Sequence, residues 1–218
     1  MKILILGATG RTGRHLLRQA LERGHRVVAL VRNTKKVDTS HDRLELVQGD
    51  VTNPDTLNQC LEGCEAVLST LNISRASDFP WARLRTPERF LEEMLGHVME
   101  GMKQHKIRRI ILTSAWGVGD SLSEIPGWFR WFIHNSNVGK AYAQHEVQEK
   151  MLSESDLDWT AVRPVGLTNG NKIKTLIVSN SGSPKPTLTI SRKHTGKFML
   201  DVLEDGTYLK ETPVISEK

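Results

Sequence analysis

The chain begins with Lys2-Ile-Leu-Ile-Leu-Gly-Ala-Thr-Gly-Arg-Thr-Gly13, an apolar run that leads directly into a glycine-rich turn. The run predicts a buried strand, and the Leu and Ala residues at positions 16–21 predict that a helix follows. A Gly-x-x-Gly-x-x-Gly spacing between strand and helix is typical of dinucleotide binding, because the helix N-terminus attracts phosphate. We therefore expect a cofactor pyrophosphate to contact the residues of this turn, which are Gly7, Thr9, Gly10, Arg11, Thr12 and Gly13.

Short strand-like runs alternate with longer amphipathic segments along the whole chain, which is typical of βαβ units. Strands are predicted at 2–6, 26–31, 44–48, 66–69, 109–113 and 159–162, with a short terminal strand at 213–215. Helices are predicted at 10–23, 54–61, 86–105, 138–153 and 194–203. The fold class that follows is α/β: a Rossmann-type doubly wound parallel sheet with helices on both faces, in a single domain over 1–218.

Two longer segments interrupt this alternation, and each follows a predicted strand. Residues 117–137 are rich in aromatic residues, and residues 166–187 are rich in Gly, Asn, Ser, Lys and Pro. Doubly wound sheets bind their ligands above the carboxyl ends of the strands. We therefore expect both segments to form loops on the substrate side.

The end of the second predicted strand distinguishes the two nicotinamide dinucleotides. Chains that bind NAD usually carry an acidic residue there, which accepts hydrogen bonds from the adenosine ribose. This chain has Arg32 instead, and Arg11 lies within the glycine turn. Because a guanidinium binds a phosphate through two parallel hydrogen bonds, the sequence predicts NADP(H).

Residues at the ends of the third and fourth strands complete the predicted cofactor site. Asp50 is expected to accept a hydrogen bond from the adenine amino group, while Val51 packs against the ring. Asn53 is the better candidate for the N-cap of the next helix. The residues expected to line the adenosine side are Ser69, Thr70 and Leu71.

The composition sets limits on partners and location. The formal net charge is +5 and the pI is about 9.3, but Lys and Arg are spread along the chain, which gives no support for nucleic-acid binding. No apolar run approaches the ~20 residues that span a bilayer, so we expect no membrane partner and a cytoplasmic protein. Cys60 and Cys64 are expected to be free thiols, and no metal site is expected. We expect a monomer or a weak homodimer.

Five segments carry a resemblance to a known family: Leu6-Gly-Ala-Thr-Gly-Arg-Thr-Gly13, Leu30-Val-Arg-Asn33, Gly49-Asp-Val51, Thr113-Ser-Ala115 and Trp159-Thr-Ala-Val-Arg-Pro164. By these motifs the chain resembles the atypical short-chain dehydrogenase/reductases. It is most similar to their NmrA-like and NAD(P)H-binding subset, and within that to the flavin reductases (biliverdin-IXβ reductases). The resemblance implies a Rossmann fold, NADPH as reductant, and a flavin, quinone or tetrapyrrole-like small molecule as acceptor.

The resemblance also implies which residues lie near the nicotinamide. Ser114, which follows Thr113 at the end of the fifth strand, is expected beside the nicotinamide ring. The flavin reductases carry a His after the Pro of the sixth strand, whereas here Val165 and Gly166 follow Pro164. The proton-donating role proposed for that His therefore has no counterpart in this chain. Backbone groups of Val165 and Gly166 are expected to pair with the nicotinamide carboxamide.

Acid–base catalysis has little support in the sequence. The Tyr-x-x-x-Lys motif of alcohol-oxidising short-chain dehydrogenases is replaced by Ala141 and His145. His145 is predicted either to bind the ribose or relay a proton, or to be an exposed helix residue without a role. A conjugated acceptor needs ring alignment and an apolar cover instead. Trp116, Trp128 and Trp131 are predicted to provide that cover, or to form a lid core or an oligomer contact.

Two functions follow from these observations, and the sequence leaves both open. The first is an NADPH-dependent oxidoreductase that transfers hydride to a flavin or a similar conjugated acceptor. The second is an NmrA-like, NADP(H)-binding, redox-sensing regulatory protein that binds a protein partner without turnover. The missing Tyr-x-x-x-Lys motif and the missing His after the sixth strand both favour the second.

Overall fold

The apolar runs form the strands of a central sheet, and the amphipathic segments form the helices that cover it. The computed structural model describes residues 1–77, 79–170 and 174–218. The strands are β1 (Lys2–Leu6), β2 (Arg26–Val31), β3 (Leu44–Gln48), β4 (Ala66–Ser69), β5 (Arg109–Thr113), β6 (Asp158–Pro164), β7 (Gly166–Thr168), β8 (Leu176–Ser179), β9 (Thr189–Ser191) and β10 (Val214–Glu217). The helices are α1 (Gly13–Glu22), α2 (Pro54–Leu61), α3 (Phe90–Gln104), α4 (Gly127–His134), α5 (Val138–Ser153) and α6 (Arg192–Asp205).

Eight of these strands form one sheet in the order β3-β2-β1-β4-β5-β6-β10-β8, in which only the edge strand β8 runs antiparallel. β1 pairs with β2 on one side and with β4 on the other, so that Leu6 lies opposite both Leu30 and Ser69. The chain winds outward from β1 to β3 and then crosses back to β4. This reversal opens a cleft above the carboxyl ends of β1 and β4, where such sheets bind ligands.

Alternation along β1 places apolar side chains on both faces of the sheet. Ile3 and Ile5 belong to the same apolar cluster as the buried residues of α1 and α6. Leu4 and Leu6 belong to a second cluster with residues of α2, α3 and α5. A strand whose two faces are both covered has to be apolar throughout. The structure thus confirms the predicted doubly wound α/β sheet in a single domain.

The predicted elements differ from the observed ones mainly at their ends. α1 begins at Gly13 rather than at residue 10, because residues 7–12 form the turn itself. α3 begins at Phe90 rather than at residue 86: Pro87 disfavours a helical conformation for Thr86, and the next residues form a turn in which the Phe90 N–H donates to the Pro87 carbonyl. The two segments predicted as loops are not loops throughout, because 117–137 contains the helix α4 and 166–187 contains β7 and β8, and the strand β9 was not predicted either. Residues 171–173 of the second segment lie outside the described residues.

The two cysteines lie at the end of α2 and just beyond it. Both are buried and free, which confirms the expectation of unpaired thiols. Burial raises the pKa of each thiol to about 11. Both sulfurs therefore stay protonated near neutral pH, where a protonated thiol is a poor nucleophile.

Candidate functional site

The glycine turn is packed so closely that it has no room for side chains at two positions. A Cβ at Gly13 would lie 2.0 Å from the carbonyl oxygen of Gly7, and a Cβ at Gly7 would lie 2.8 Å from Thr70 Oγ1. Gly7 also has a φ of +85°, which glycine adopts without strain. The backbone N–H of Gly10 donates to the Gly7 carbonyl at 2.8 Å and closes the turn. The N-terminus of α1 is thereby brought directly over the end of β1.

Two residues predicted to line the adenosine side make other contacts, and one of them, Thr70, supports the glycine turn. Thr70 Oγ1 lies 3.4 Å from the carbonyl oxygens of Leu6 and Gly7, to which it donates. Ser69 is buried, and its hydroxyl oxygen accepts from the backbone N–H of Leu71. Neither Ser69 nor Thr70 lines the cavities above the turn. Leu71 does line the smaller of them.

The first turn of α1 is suited to bind phosphate. Thr12 occupies the N-cap position, but its side chain makes no capping hydrogen bond, and no acidic residue lies in the first turn. The backbone N–H groups of Arg14 and His15 donate to the carbonyls of Gly10 and Thr12, and the positive end of the helix dipole favours an anion beside this turn. Together with the close approach that the glycines allow, this arrangement fits a dinucleotide pyrophosphate.

A small cavity of about 100 Å³ lies on the adenosine side of the turn. It brings together six residues that the sequence predicted for the cofactor: Gly7, Thr9, Arg32, Asp50, Val51 and Leu71. Asp50 Oδ1 accepts from the backbone N–H and the hydroxyl of Thr52 at 2.9 and 2.8 Å. These hydrogen bonds, with the charge of Arg32, hold the pKa of Asp50 below its ordinary value. Asn53, not Asp50, caps α2 by accepting from the backbone N–H of Thr56, as expected.

A larger cavity of about 490 Å³ lies on the other side of the turn, above the ends of β5 and β6. Its lining includes the predicted site residues Arg11, Ser114, Trp116, His145, Pro164, Val165 and Gly166. Asn72 and Ser74 line both cavities, so the two adjoin along one segment that follows β4. Thr113 ends β5 but does not line either cavity.

The predicted tryptophan cover is only partly present in the larger cavity. Trp116 is buried and lines it, whereas the side chains of Trp128 and Trp131 are 67% and 63% exposed and do not. Phe129 lines the cavity instead, because α4 turns this residue inward while residues 128 and 131 face outward. Its ring packs edge-on against Tyr142 with 6.4 Å between the centroids. The aromatic wall is therefore formed by Trp116, Phe129 and Tyr142.

Ser114 is held by a buried ion pair that the sequence analysis missed. Its hydroxyl donates to Glu149 Oε1 at 2.6 Å, and the same carboxylate accepts from Arg163 Nε at 3.0 Å and Nη2 at 2.6 Å. Arg163 Nη1 also donates to Asp120 at 2.6 Å. Burial lowers the pKa of Arg163, but its hydrogen bonds to Glu149 and Asp120 outweigh that effect and raise it overall. With its proton committed to Glu149, Ser114 presents acceptor lone pairs to the cavity.

The expectation that His145 is an exposed helix residue is wrong, because its side chain is almost fully buried. The Nδ1 atom lies 3.3 Å from Gln148 Oε1, and burial lowers the pKa of the imidazole to about 4. Tyr142 donates its hydroxyl to the Trp116 carbonyl at 3.2 Å, and burial raises its pKa to about 12. Both side chains are therefore neutral near pH 7, and the phenolic proton is already engaged.

The sequence of this chain matches a known family over most of its length. Residues 7–206 match the NAD(P)H-binding family, and the chain belongs to that family. This confirms the resemblance carried by the glycine turn and identifies the dinucleotide as NAD(P)H.

Individual relatives are more distant. The photosystem II assembly factor Ycf39 of Synechocystis sp. is 26% identical over 227 residues, which cover 100% of this chain and 63% of that protein. The chain spans less than two thirds of the length of the first curated relatives that it matches.

Two solved structures share the fold. The anaerobillin reductase ChuY of Escherichia coli superposes with a TM-score of 0.80 at 17% identity, covering 100% of this chain and 97% of that one. A short-chain dehydrogenase/reductase of Veillonella parvula in complex with NADP superposes with a TM-score of 0.78 at 19% identity, covering 99% and 94%. At these identities the likeness concerns the fold alone.

Proposed function

We propose that this protein is an NADPH-dependent reductase that transfers hydride to a flavin or a similar conjugated acceptor. The observation that carries the proposal is the larger cavity, which begins at Arg11 of the glycine turn and continues past Ser114 to an aromatic wall. When bound, the reduced nicotinamide supplies the hydride. The protein has to bind and align both rings and exclude water from between them.

The choice of NADPH over NADH rests on Arg32. This residue directly follows β2, lines the smaller cavity and is exposed, so its guanidinium can contact a phosphate on the adenosine ribose. A carboxylate at this position would favour the ribose hydroxyls of NADH instead. The carboxylate of Asp50, which also lines this cavity, follows β3 and already accepts hydrogen bonds from Thr52.

The protonation states of the cavity favour an acceptor that needs no acid from the protein. Reduction of a ketone requires a group that protonates the developing alkoxide. Tyr142 has its proton committed to the Trp116 carbonyl, and His145 is neutral. A flavin or a quinone delocalises the added charge over its rings and can take its proton from water. The aromatic wall of Trp116 and Phe129 is also suited to stacking against such rings.

The charges around the larger cavity favour an acceptor with an acidic group. Three arginines, Arg11, Arg75 and Arg192, are among the described residues that line it. An anionic acceptor such as FMN would be attracted into such a site more strongly than neutral riboflavin. The comparison between these two flavins isolates the contribution of the phosphate, because their ring systems are identical.

The test is the oxidation of NADPH, followed by its absorbance, with FMN, riboflavin or benzoquinone as acceptor. We expect acceptor-dependent oxidation, with kcat/KM higher for FMN than for riboflavin. Ser114→Ala should lower turnover by up to about 100-fold by misaligning the rings, with NADPH affinity nearly unchanged. Ser123→Ala is the matched control, because Ser123 is exposed and does not line the cavity. Tight NADPH binding without oxidation by any of these acceptors would refute the proposal.

A nucleotide-sensing protein without turnover is the second candidate. It is favoured because neither Tyr142 nor His145, which line the larger cavity, holds a proton ready for donation, and by the similarity to an assembly factor. For this candidate we expect NADPH and NADP⁺ to bind with different affinities and no acceptor to be reduced. The same assay, run beside calorimetric titration of both nucleotides, distinguishes the two functions.

A further inference from the structure

Four large aromatic side chains lie exposed on one side of the larger cavity. Phe79 and Trp81 belong to the loop that the Arg75–Leu84 bridge closes, and they are 62% and 50% exposed. Trp128 and Trp131 of α4 are 67% and 63% exposed. We refer to these four residues as the aromatic face. An exposed aromatic surface of this kind usually marks a binding interface.

The aromatic face is held in place by specific contacts. Trp81 Nε1 donates to the Asn135 carbonyl at 2.7 Å, and Asn137 Nδ2 donates to the carbonyls of Trp81 and Ala82 at 3.0 and 3.1 Å. The Trp81 ring also packs edge-on against Phe132 of α4, with 6.2 Å between the centroids. The loop and α4 therefore form one surface.

The outward side of α4 combines tryptophan with basic residues. Trp128, Arg130, Trp131 and His134 are exposed, whereas Ile133 is buried. A helix on a water-facing surface normally turns its polar side outward. Indole rings interleaved with cations are instead typical of a helix that lies in the headgroup region of a bilayer.

The charge of the surrounding segments is also basic. Residues 75–85 and 127–134 contain four arginines and a single acidic residue, Asp78, which lies outside the described residues. The guanidinium groups of Arg83, Arg85 and Arg130 make no ion pair within the described part of the chain. Arginine binds phosphate groups through two hydrogen bonds, and basic clusters attract anionic lipid headgroups.

We propose that the aromatic face docks on the surface of an anionic lipid bilayer. The indoles insert at headgroup level, and Arg83, Arg85 and Arg130 contact lipid phosphates. No helix in the described ranges is long and apolar enough to cross a membrane, and this kind of docking requires none. The expectation of no membrane partner rested on the missing spanning segment, which does not bear on a surface contact.

A second copy of the chain fits the aromatic face less well. Two-fold association presses the same patch of one molecule against that of the other. Arg83, Arg85 and Arg130 would then face their own counterparts, and like charges across an interface oppose association. An anionic bilayer has the complementary charge and accepts both the indoles and the guanidinium groups.

Docking at this face would also bring the larger cavity toward the lipid. Phe129 lines that cavity, and its ring contacts Trp128 and Phe132 with centroid distances of 5.5 and 6.0 Å. Leu167, on another part of the cavity wall, is itself partly exposed. A conjugated acceptor dissolved in the bilayer would then have a short path to the site. This consequence rests on the proposed reductase function, whereas docking itself does not.

The test is co-sedimentation of the full chain with vesicles, one set of phosphatidylcholine alone and one with phosphatidylglycerol in a ratio of about seven to three. We expect binding to the anionic vesicles, a blue shift of tryptophan fluorescence, and weaker binding at high salt. The double variant Trp128→Ser/Trp131→Ser should bind at least about tenfold more weakly. Leu209→Ser is the control, because Leu209 is exposed and lies near the amino end of β6, whereas the larger cavity lies at the carboxyl ends of β5 and β6.

Two further measurements test whether misfolding or self-association accounts for the result. NADPH affinity should be the same in the double variant as in the wild type, which shows that the fold and the cofactor site are intact. Size-exclusion chromatography with light scattering measures self-association. The proposal would be overturned if the wild-type protein did not bind anionic vesicles, or if the double variant bound them as strongly as the wild type. It would also be overturned if the wild-type protein were a dimer that does not bind lipid and the double variant were a monomer.

Discussion

Replacing Glu149 by Gln tests the buried ion pair that holds Ser114. The Arg163 side chain is 4% exposed and that of Glu149 10%, and the carboxylate accepts two hydrogen bonds from the guanidinium and one from Ser114. Gln keeps the size of the side chain but removes its charge, so the guanidinium is left with Asp120, whose side chain is 76% exposed. Breaking a buried pair in this way costs about 3–5 kcal/mol of unfolding free energy.

Asp120→Asn provides the matched control, because it removes the other carboxylate bound to the same guanidinium. Water screens the ion pair of the exposed Asp120, so we expect Asp120→Asn to lower the unfolding free energy by less than about 1 kcal/mol. The assay is urea denaturation near pH 7. With an m-value of about 2 kcal/mol/M, Glu149→Gln should lower the midpoint by roughly 1.5–2.5 M. Equal midpoints for the two variants, with unchanged m-values, would refute the reasoning that burial makes Glu149 the dominant partner.

Three further predictions concern the glycine turn, the cofactor and pH. Gly13→Ala should cost about 1–3 kcal/mol and abolish NADPH binding in calorimetry, because its Cβ would lie 2.0 Å from the Gly7 carbonyl oxygen. Gly127→Ala is the control, because nothing lies within 4 Å of the added Cβ, and it should change neither stability nor NADPH binding. Equal effects of Gly13→Ala and Gly127→Ala would contradict the packing argument. Arg32→Ala should weaken NADPH binding about 10–100-fold and leave NADH unaffected; a variant that still discriminates like the wild type would remove Arg32 from the site. The pKa of His145 lies below its ordinary value, at about 4, so its contribution to stability is present above pH 6.5 and is lost as pH falls toward 4, by up to about 1.4 kcal/mol per pH unit. Urea titrations between pH 6.5 and pH 4 should therefore show a smaller loss of unfolding free energy for His145→Gln than for the wild type. The same pH dependence of the unfolding free energy in both proteins would contradict this.

The strands β1–β6 and β10, and most of the helices that cover them, could be predicted because their signal is local, whereas the short strands β7, β8 and β9 were not predicted. The β1 run is apolar at every position because both of its faces are covered, and the glycines that follow it are required by contacts only a few residues away. α4 was missed because it is short and lies among Gly and Pro residues. Its inward residue Phe129 could be distinguished from its outward neighbours only once the helix itself was known.

The residues around Ser114 could not be predicted, because their interactions are not local in sequence. Glu149, which binds Ser114, is 35 positions away from it in the sequence. Arg163, which binds the Glu149 carboxylate, belongs to the strand β6 next to β5. The burial of His145 was equally hidden. The buried side of α5 carries Gln144, Gln148 and Glu149, so its residues show no apolar periodicity. One signal was present: Glu149 lies four residues after His145, which places both on the same side of a helix.

The crossover from β4 to α3 contributes residues to both cavities and to the aromatic face. Residues 72–75 line the larger cavity, Asn72, Ser74 and Thr86 line the smaller one, and Phe79 and Trp81 belong to the aromatic face. The ends of this crossover are fixed by the pairing of β4 and the packing of α3, so its interior is free to vary in length and composition. The lining of both cavities and half of the aromatic face are thus encoded in one stretch of the chain. Divergence within the family can alter all three together while the sheet stays the same.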